Sequence, residues 1–96
     1  MDGLTFSWDD RKDRANQRKH GVSFEEAATA FADENARLTH DPDHSQDEDR
    51  FILLGFSAKF RMLVVAHAYR QGETEIRIIS ARKAMRKERM QYGEFL

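Results

Sequence analysis

Three apolar runs in the second half of the chain constrain its fold most: Phe51–Phe56, Met62–Tyr69 and Glu75–Ala81. Each is rich in β-branched or aromatic residues and has the length of a strand. The connections between them, Ser57–Arg61 and Arg70–Thr74 with Gly72 inside, are of hairpin length. Parallel strands need a crossover of a dozen or more residues, so such short links imply an antiparallel meander.

The first half carries helical signals instead. Phe6-Ser7-Trp8 suits a short edge strand. Asp9 or Asp10 then suits an N-cap, because a short carboxylate accepts from the free amides of a first turn. The helix expected over Arg11–His20 ends at Gly21, which supplies the left-handed residue of a C-terminal cap. Lys19 and His20 fall in its last turn, where cations meet the negative end of the helix dipole. Ser23 and Glu26 read as a capping box. Phe24, Ala27, Ala28 and Phe31 follow at helical period, predicting a second helix over residues 24–32. Ala36–Thr39 suits a short strand, and His40–Asp49, with the single Pro, an exposed loop. Lys83–Glu94 closes the chain as a basic helix. The expected class is α+β: an antiparallel sheet, a meander of the last three or four strands, with two N-terminal helices and one C-terminal helix, in one domain over residues 1–96.

Composition excludes several classes. Without Cys there is no disulfide framework and no cysteine zinc site. The longest strongly apolar run, Met62–Ala66, falls far short of the ~20 residues of a membrane helix. Met1-Asp2-Gly3 has neither the basic flank nor the apolar stretch of a secretory signal, so a cytoplasmic location is expected. The net charge of −1 is a cancellation: residues 1–50 carry −6 and residues 51–96 carry +5. A basic second half suits contact with a polyanion, unless the halves interleave on folding and leave no patch.

His40-Asp41-Pro42-Asp43-His44 with Asp47, Glu48 and Asp49 invites a metal reading, but its spacing matches neither a helical His pair nor a calcium loop. A solvated acidic loop is the plainer reading, and no metal is assigned. The glycines are isolated, and no Gly-x-Ser-x-Gly elbow occurs. The basic groups are more suggestive. Arg61, Arg70, Arg77, Arg82 and Lys83 lie on or at the ends of the last two expected strands, and Arg86 follows. Strict alternation puts Glu75, Arg77, Ile79 and Ala81 on one face and Ile76, Ile78 and Ser80 on the other. On the preceding strand Leu63, Val65, His67 and Tyr69 share a face, bringing an imidazole and a phenol to the same sheet.

Such a set can cleave a phosphodiester without metal. The reaction needs one group to take the 2′-hydroxyl proton, one to protonate the leaving oxygen, and cations for the phosphorane's charge. Arg61, Arg77, Lys83 and Arg86 are candidate RNA contacts, with Tyr69 and His67 able to stack on unpaired bases. Each has a plainer role beside it. His67 suits a hydrogen-bonded core histidine, Tyr69 packing, and Arg77 with Glu75 a surface ion pair worth under about 1 kcal/mol.

Together these residues resemble the BrnT toxins of bacterial type II toxin–antitoxin systems. The resemblance runs from Phe6 to Tyr92. It rests on Phe6-Ser7-Trp8-Asp9, Lys12, Asn16, Lys19-His20-Gly21-Val22, Phe24-Glu25-Glu26-Ala27, Asp41, Glu48, Arg50 and Gly55. Leu63-Val64-Val65, Ile78-Ile79-Ser80-Ala81-Arg82-Lys83-Ala84, Glu88 and Tyr92 complete it. It implies a RelE-like α+β fold and a metal-independent endoribonuclease that inhibits translation. It also implies a BrnA-like ribbon-helix-helix antitoxin, typically in a 2:2 assembly that binds operator DNA through the antitoxin. Carried onto this chain, it points to Arg82, Arg70, Lys19 and His20 as active-surface residues, with Glu73 or Glu75 as the acid or base and His20 as an alternative proton acceptor. One departure is His67-Ala68-Tyr69, where relatives often carry a Thr-bearing strand end. The alternatives are a non-catalytic nucleic-acid-binding module, an antitoxin-binding corepressor, and a metal-dependent nuclease using His40, Asp41 and His44.

Overall fold

A computed structural model describes residues 4–70, 72 and 74–93. Thr5–Ser7 forms β1, Arg37–Asp41 β2, Arg50–Phe56 β3, Met62–Arg70 β4 and Glu75–Lys83 β5. The last four are antiparallel neighbours in chain order, the expected meander, and β1 joins in parallel on the outer side of β5. The sheet order is therefore β1-β5-β4-β3-β2. Asp10–His20 is α1, Phe24–Thr29 is α2, and Arg86–Gly93 is α3. Among the described residues no helix is long and apolar enough to cross a membrane.

The helix ends follow local chemistry. The Asp9 carboxylate accepts from the amides of Arg11 and Lys12, and Gly21 takes φ +69° at the other end of α1. The Ser23 hydroxyl accepts from the Glu26 amide to start α2. That helix is shorter than the periodicity predicts, because Ala30–Ala32 tightens into a 3₁₀ turn. The basic helix α3 starts at Arg86 instead of Lys83, since β5 keeps its strand pairing through Lys83.

Two apolar layers cover the sheet. On one face Val22, Phe24 and Ala27 pack on Leu53, Leu63, Val65, Ile76 and Ile78. Phe24 and Leu63 are fully buried there, each worth roughly 1.5–3 kcal/mol relative to an exposed side chain. On the opposite face Tyr92 of α3 closes a smaller cluster over Leu54, Met62 and Val64. The Tyr92 hydroxyl donates to Asp33 at 2.8 Å, tying α3 to the turn after α2.

A bulge revises the faces of β5. Ala66 pairs with Ser80 but His67 pairs with Ile78, so Ile79 is an extra residue. The extra residue inverts the alternation beyond it. Ala81 therefore joins Ile76 and Ile78 in the core, whereas Ser80 and Arg82 join the Glu75 and Arg77 face, against the strict alternation expected from sequence.

His67 and Tyr69 lie on the core face, away from those arginines. His67 is fully buried, its Nδ1 donating to the Val65 carbonyl at 3.1 Å and its Nε2 lying 3.3 Å from the Tyr69 hydroxyl. Phe31 packs edge-on against the imidazole. His67 is thus a core histidine with no surface to offer RNA, and Tyr69 packs on it and on Phe51. Burial lowers the imidazole pKa below its ordinary value. As pH falls through ~6.5 the unfolded chain takes up a proton that the folded chain refuses, so stability is complete above that value and declines below it. Unfolding free energy should fall between pH 7 and pH 5.5, at no more than about 1.36 kcal/mol per pH unit. Denaturant unfolding at both pH values should show this drop in the natural chain and lose most of it in His67→Gln.

Candidate active site

The outer edge of β5 is paired by β1 only as far as Arg77. Beyond that point a side chain substitutes for a strand. The buried Asn16 amide donates to the Ala81 carbonyl at 2.8 Å and accepts from the Ala81 amide at 3.1 Å. It also donates to the Val22 carbonyl at 2.8 Å. Unpaired backbone groups at such a buried edge would each cost about 1–3 kcal/mol, so α1 is locked along it. Lys19 and His20, one turn further, are carried past the edge toward the face bearing Ser80 and Arg82.

There they line one cavity of about 410 Å³. Lys19, His20, Ser80 and Arg82 form its β5 side, and Asp41, His44 and Arg50 its other side. Ile52, Val64 and Ala66 line it between them. Asp41 and Arg50 are register partners across β2 and β3. Pro42 then opens a 3₁₀ turn over Pro42–His44, which returns His44 to Asp41: its Nδ1 donates to the carboxylate at 2.9 Å. The Ser45 hydroxyl donates to the Asp41 carbonyl at 2.6 Å and accepts from the Arg50 amide at 2.9 Å, tying the loop down. The loop expected to be merely solvated is thus one wall of the cavity.

Arg82 is held by a fork. It donates through Nη1 and Nη2 to the two oxygens of Glu88, at 2.8 and 2.7 Å. Glu88 also accepts from the Met85 amide at 2.8 Å, capping the start of α3. Hydrogen bonding with Glu88 raises the Arg82 pKa, and the same contact holds the Glu88 carboxyl below its ordinary value. Arg82 is therefore a permanent cation of fixed orientation whose side chain is 34% exposed. A guanidinium carries five N–H donors, of which Glu88 takes two and the Lys83 carbonyl one at 3.3 Å, so it can still donate to an anion in the cavity.

The other expected site residues lie elsewhere. Arg70 faces Glu48 at 3.4 Å and lines an adjoining hollow that shares His44 and Arg50 with the cavity. Glu75 accepts from the Ser7 hydroxyl at 2.7 Å and lies about 20 Å along β5 from Arg82, at ~3.3 Å per residue. Glu75 thus does not share the cavity with Arg82, and Glu73 lies outside the described residues. Arg77 is on the Glu75 part of β5, beyond the lining residues. Arg61 and Lys83 line a different hollow near Phe60, and Arg86 is exposed at the start of α3.

Arg61 has a structural task. Its Nε donates to Glu26 Oε2 at 2.8 Å, its Nη2 donates to Glu26 Oε1 and, at 3.1 Å, to the Gly21 carbonyl. The Ser57 hydroxyl donates to the same carboxylate at 2.7 Å. Glu26 therefore spends its buried carboxylate on the β3–β4 hairpin, where the capping-box reading would have it turn back to its own helix. Sequence reasoning gives Arg50 and Ser80 no site role, and it weighs Asp41 and His44 only as metal ligands. Only the His44–Asp41 pair had a legible signal, three-residue spacing around a Pro suited to the first position of a helical turn. Among the described residues no three His, Asp or Glu side chains gather as a metal-ligand set, His40 lying instead 3.3 Å from Asp49.

Residues 8–88 match the family model described as the ribonuclease toxin BrnT of type II toxin–antitoxin systems. The fold is similar to the crystal structure of the Brucella abortus ribonuclease toxin BrnT, with a TM-score of 0.64 and 21% sequence identity. That similarity covers 86% of this chain and 99% of the other. Among curated proteins no sequence matches the chain.

Proposed function

Since the chain belongs to the BrnT family of ribonuclease toxins of type II toxin–antitoxin systems, we propose that it cleaves RNA without metal, in the cavity that has the end of α1 and the bulged half of β5 on one side and Asp41, His44 and Arg50 on the other. The observation that carries this reading is the convergence of Lys19, His20, Arg50 and Arg82 around a histidine already held by a carboxylate. Three cations in one cavity suit a phosphodiester and the extra charge of its phosphorane. His44 donates from Nδ1 to Asp41, which leaves Nε2 as the proton acceptor.

The proposed reaction runs as an in-line transfer. The 2′-hydroxyl oxygen bonds to phosphorus while its proton passes to His44 Nε2. The bond from phosphorus to the 5′-oxygen breaks, and protonated His20 supplies the proton that this oxygen takes up. The products are a 2′,3′-cyclic phosphate and a 5′-hydroxyl. Arg82 and Lys19 keep the phosphate-holding role expected of them. Arg50 takes the place expected for Arg70, His44 takes the proton-acceptor place expected for Glu73, Glu75 or His20, and His20 becomes the proton donor.

Cutting RNA would arrest translation, and a protein antitoxin would relieve it. We infer a BrnA-like ribbon-helix-helix antitoxin in a 2:2 assembly that carries the operator contacts. Exposed apolar side chains suit a partner protein: Phe60 at the β3–β4 turn is 89% exposed, and Met85 just before α3 and Met90 on it are exposed too. Purified chain incubated with unpaired RNA in excess chelator should cut it, and adding the antitoxin should stop the cutting. Intact RNA in chelator, with cutting restored by a divalent cation, would overturn the metal-independent mechanism.

A further inference from the structure

A second cavity, of about 340 Å³, opens beside the first on the same face of the sheet. Ile52 and Val64 line both cavities, so the two are contiguous. The Arg82–Glu88 fork stands between them: Arg82 lines the first cavity and Glu88 the second. Leu54 and Val64, both nearly buried, give the second an aliphatic floor. Its rim is polar. Thr39 rises from β2 as the register partner of Ile52, and Gln91 lies three residues after Glu88, on the same side of α3.

We propose that this second cavity is a nucleobase subsite, holding one unpaired base of the RNA next to the phosphate in the first cavity. The inference rests on the ribonuclease reading above and deepens it. A base has a flat apolar face and a polar edge, which is the pattern here: an aliphatic floor with a hydroxyl, an amide, a carboxylate and the Arg37 guanidinium around it. A base attached to the bound phosphate is covalently within reach of a cavity that shares two wall residues with it. A protein segment would lack that tether. Unpaired RNA is read in this way, with bases splayed out and hydrogen-bonded on their edges. Thr39 and Gln91 then determine base preference, and Glu88 positions Arg82 while presenting its carboxylate to the base edge.

Two measurements test this. In the first, nucleoside 3′-monophosphates with each of the four bases are titrated into the natural chain and followed by NMR. Leu54 methyls and the Gln91 side-chain amide, which line only the second cavity, should shift, with an affinity that depends on the base. Responses confined to Lys19, His20 and Arg82, equal for all four, would overturn the subsite even if RNA cleavage is confirmed. This readout needs no turnover, so it separates failure of the subsite from failure of the ribonuclease reading. In the second, Thr39→Ala and Gln91→Ala are compared on an RNA pool with randomised unpaired positions. Discrimination between best and worst base beside the cut should fall three- to tenfold, the effect of one lost hydrogen bond. Unchanged preference in both variants, with antitoxin binding weakened instead, would make the cavity a protein-docking groove and overturn the proposal.

Discussion

Replacing Arg82 by alanine should lower RNA cleavage by at least about a hundredfold, the usual loss when one preorganised donor to a developing anion is removed. The guanidinium is fixed by its two bonds to Glu88 before any substrate arrives, so its contribution carries little reorganisation cost. The pair is only partly buried, and breaking it should cost about 1 kcal/mol of stability, leaving a folded protein in which to measure the defect. Arg82→Lys keeps the charge but not the planar fork, and should recover only part of the activity. Rates for the three proteins on one unpaired RNA, with circular dichroism as the folding control, decide the matter. Alanine and natural chains cutting at equal rates would remove Arg82 from the site.

Arg61→Ala should act on stability instead. Glu26 is nearly inaccessible, and without Arg61 its carboxylate keeps only the Ser57 hydroxyl among the side-chain donors described. Leaving one member of a buried pair unpartnered costs about 3–5 kcal/mol, and the partial exposure of Arg61 favours the lower end. That is a large share of the roughly 5–15 kcal/mol that stabilises a small domain. Arg61 holds the Glu26 pKa below its ordinary value, with Ser57 assisting. The stability gained is therefore complete above the ordinary carboxylate range and is lost as pH falls through the depressed value. Denaturant unfolding should show the loss at neutral pH, and Arg61→Ala should begin its acid unfolding at higher pH than the natural chain. A variant as stable as the natural chain but slower on RNA would restore Arg61 to the RNA contacts.

The contrast between these arginines shows what was legible in the sequence. Hairpin-length links and β-rich runs are local signals, so the meander could be read from Phe51–Phe56, Met62–Tyr69 and Glu75–Ala81. The Asp9, Ser23 and Gly21 caps are local too. The bulge at Ile79 is not: Glu75–Lys83 suits either phase of alternation, and only the pairing of Ala66 with Ser80 inverts it. Asn16 looks like an ordinary polar helix residue until the unpaired edge of β5 is laid beside it. Likewise Glu26 has a plausible local partner in Ser23, but Arg61 outcompetes it from 35 residues away. The site divided along the same line. Lys19, His20 and Arg82 were legible through a family resemblance, whereas Arg50 and the His44–Asp41 pair needed the β2–β3 register to bring them in.

The chemistry of the RNA ends tests the central claim most directly. If cationic side chains and two histidines drive attack by the 2′-hydroxyl, fragments made in chelator should end in 2′,3′-cyclic phosphate and begin with 5′-hydroxyl, as mass spectrometry of the products will show. Fragments with 3′-hydroxyl and 5′-phosphate ends would mean that water is the nucleophile, and would contradict the account.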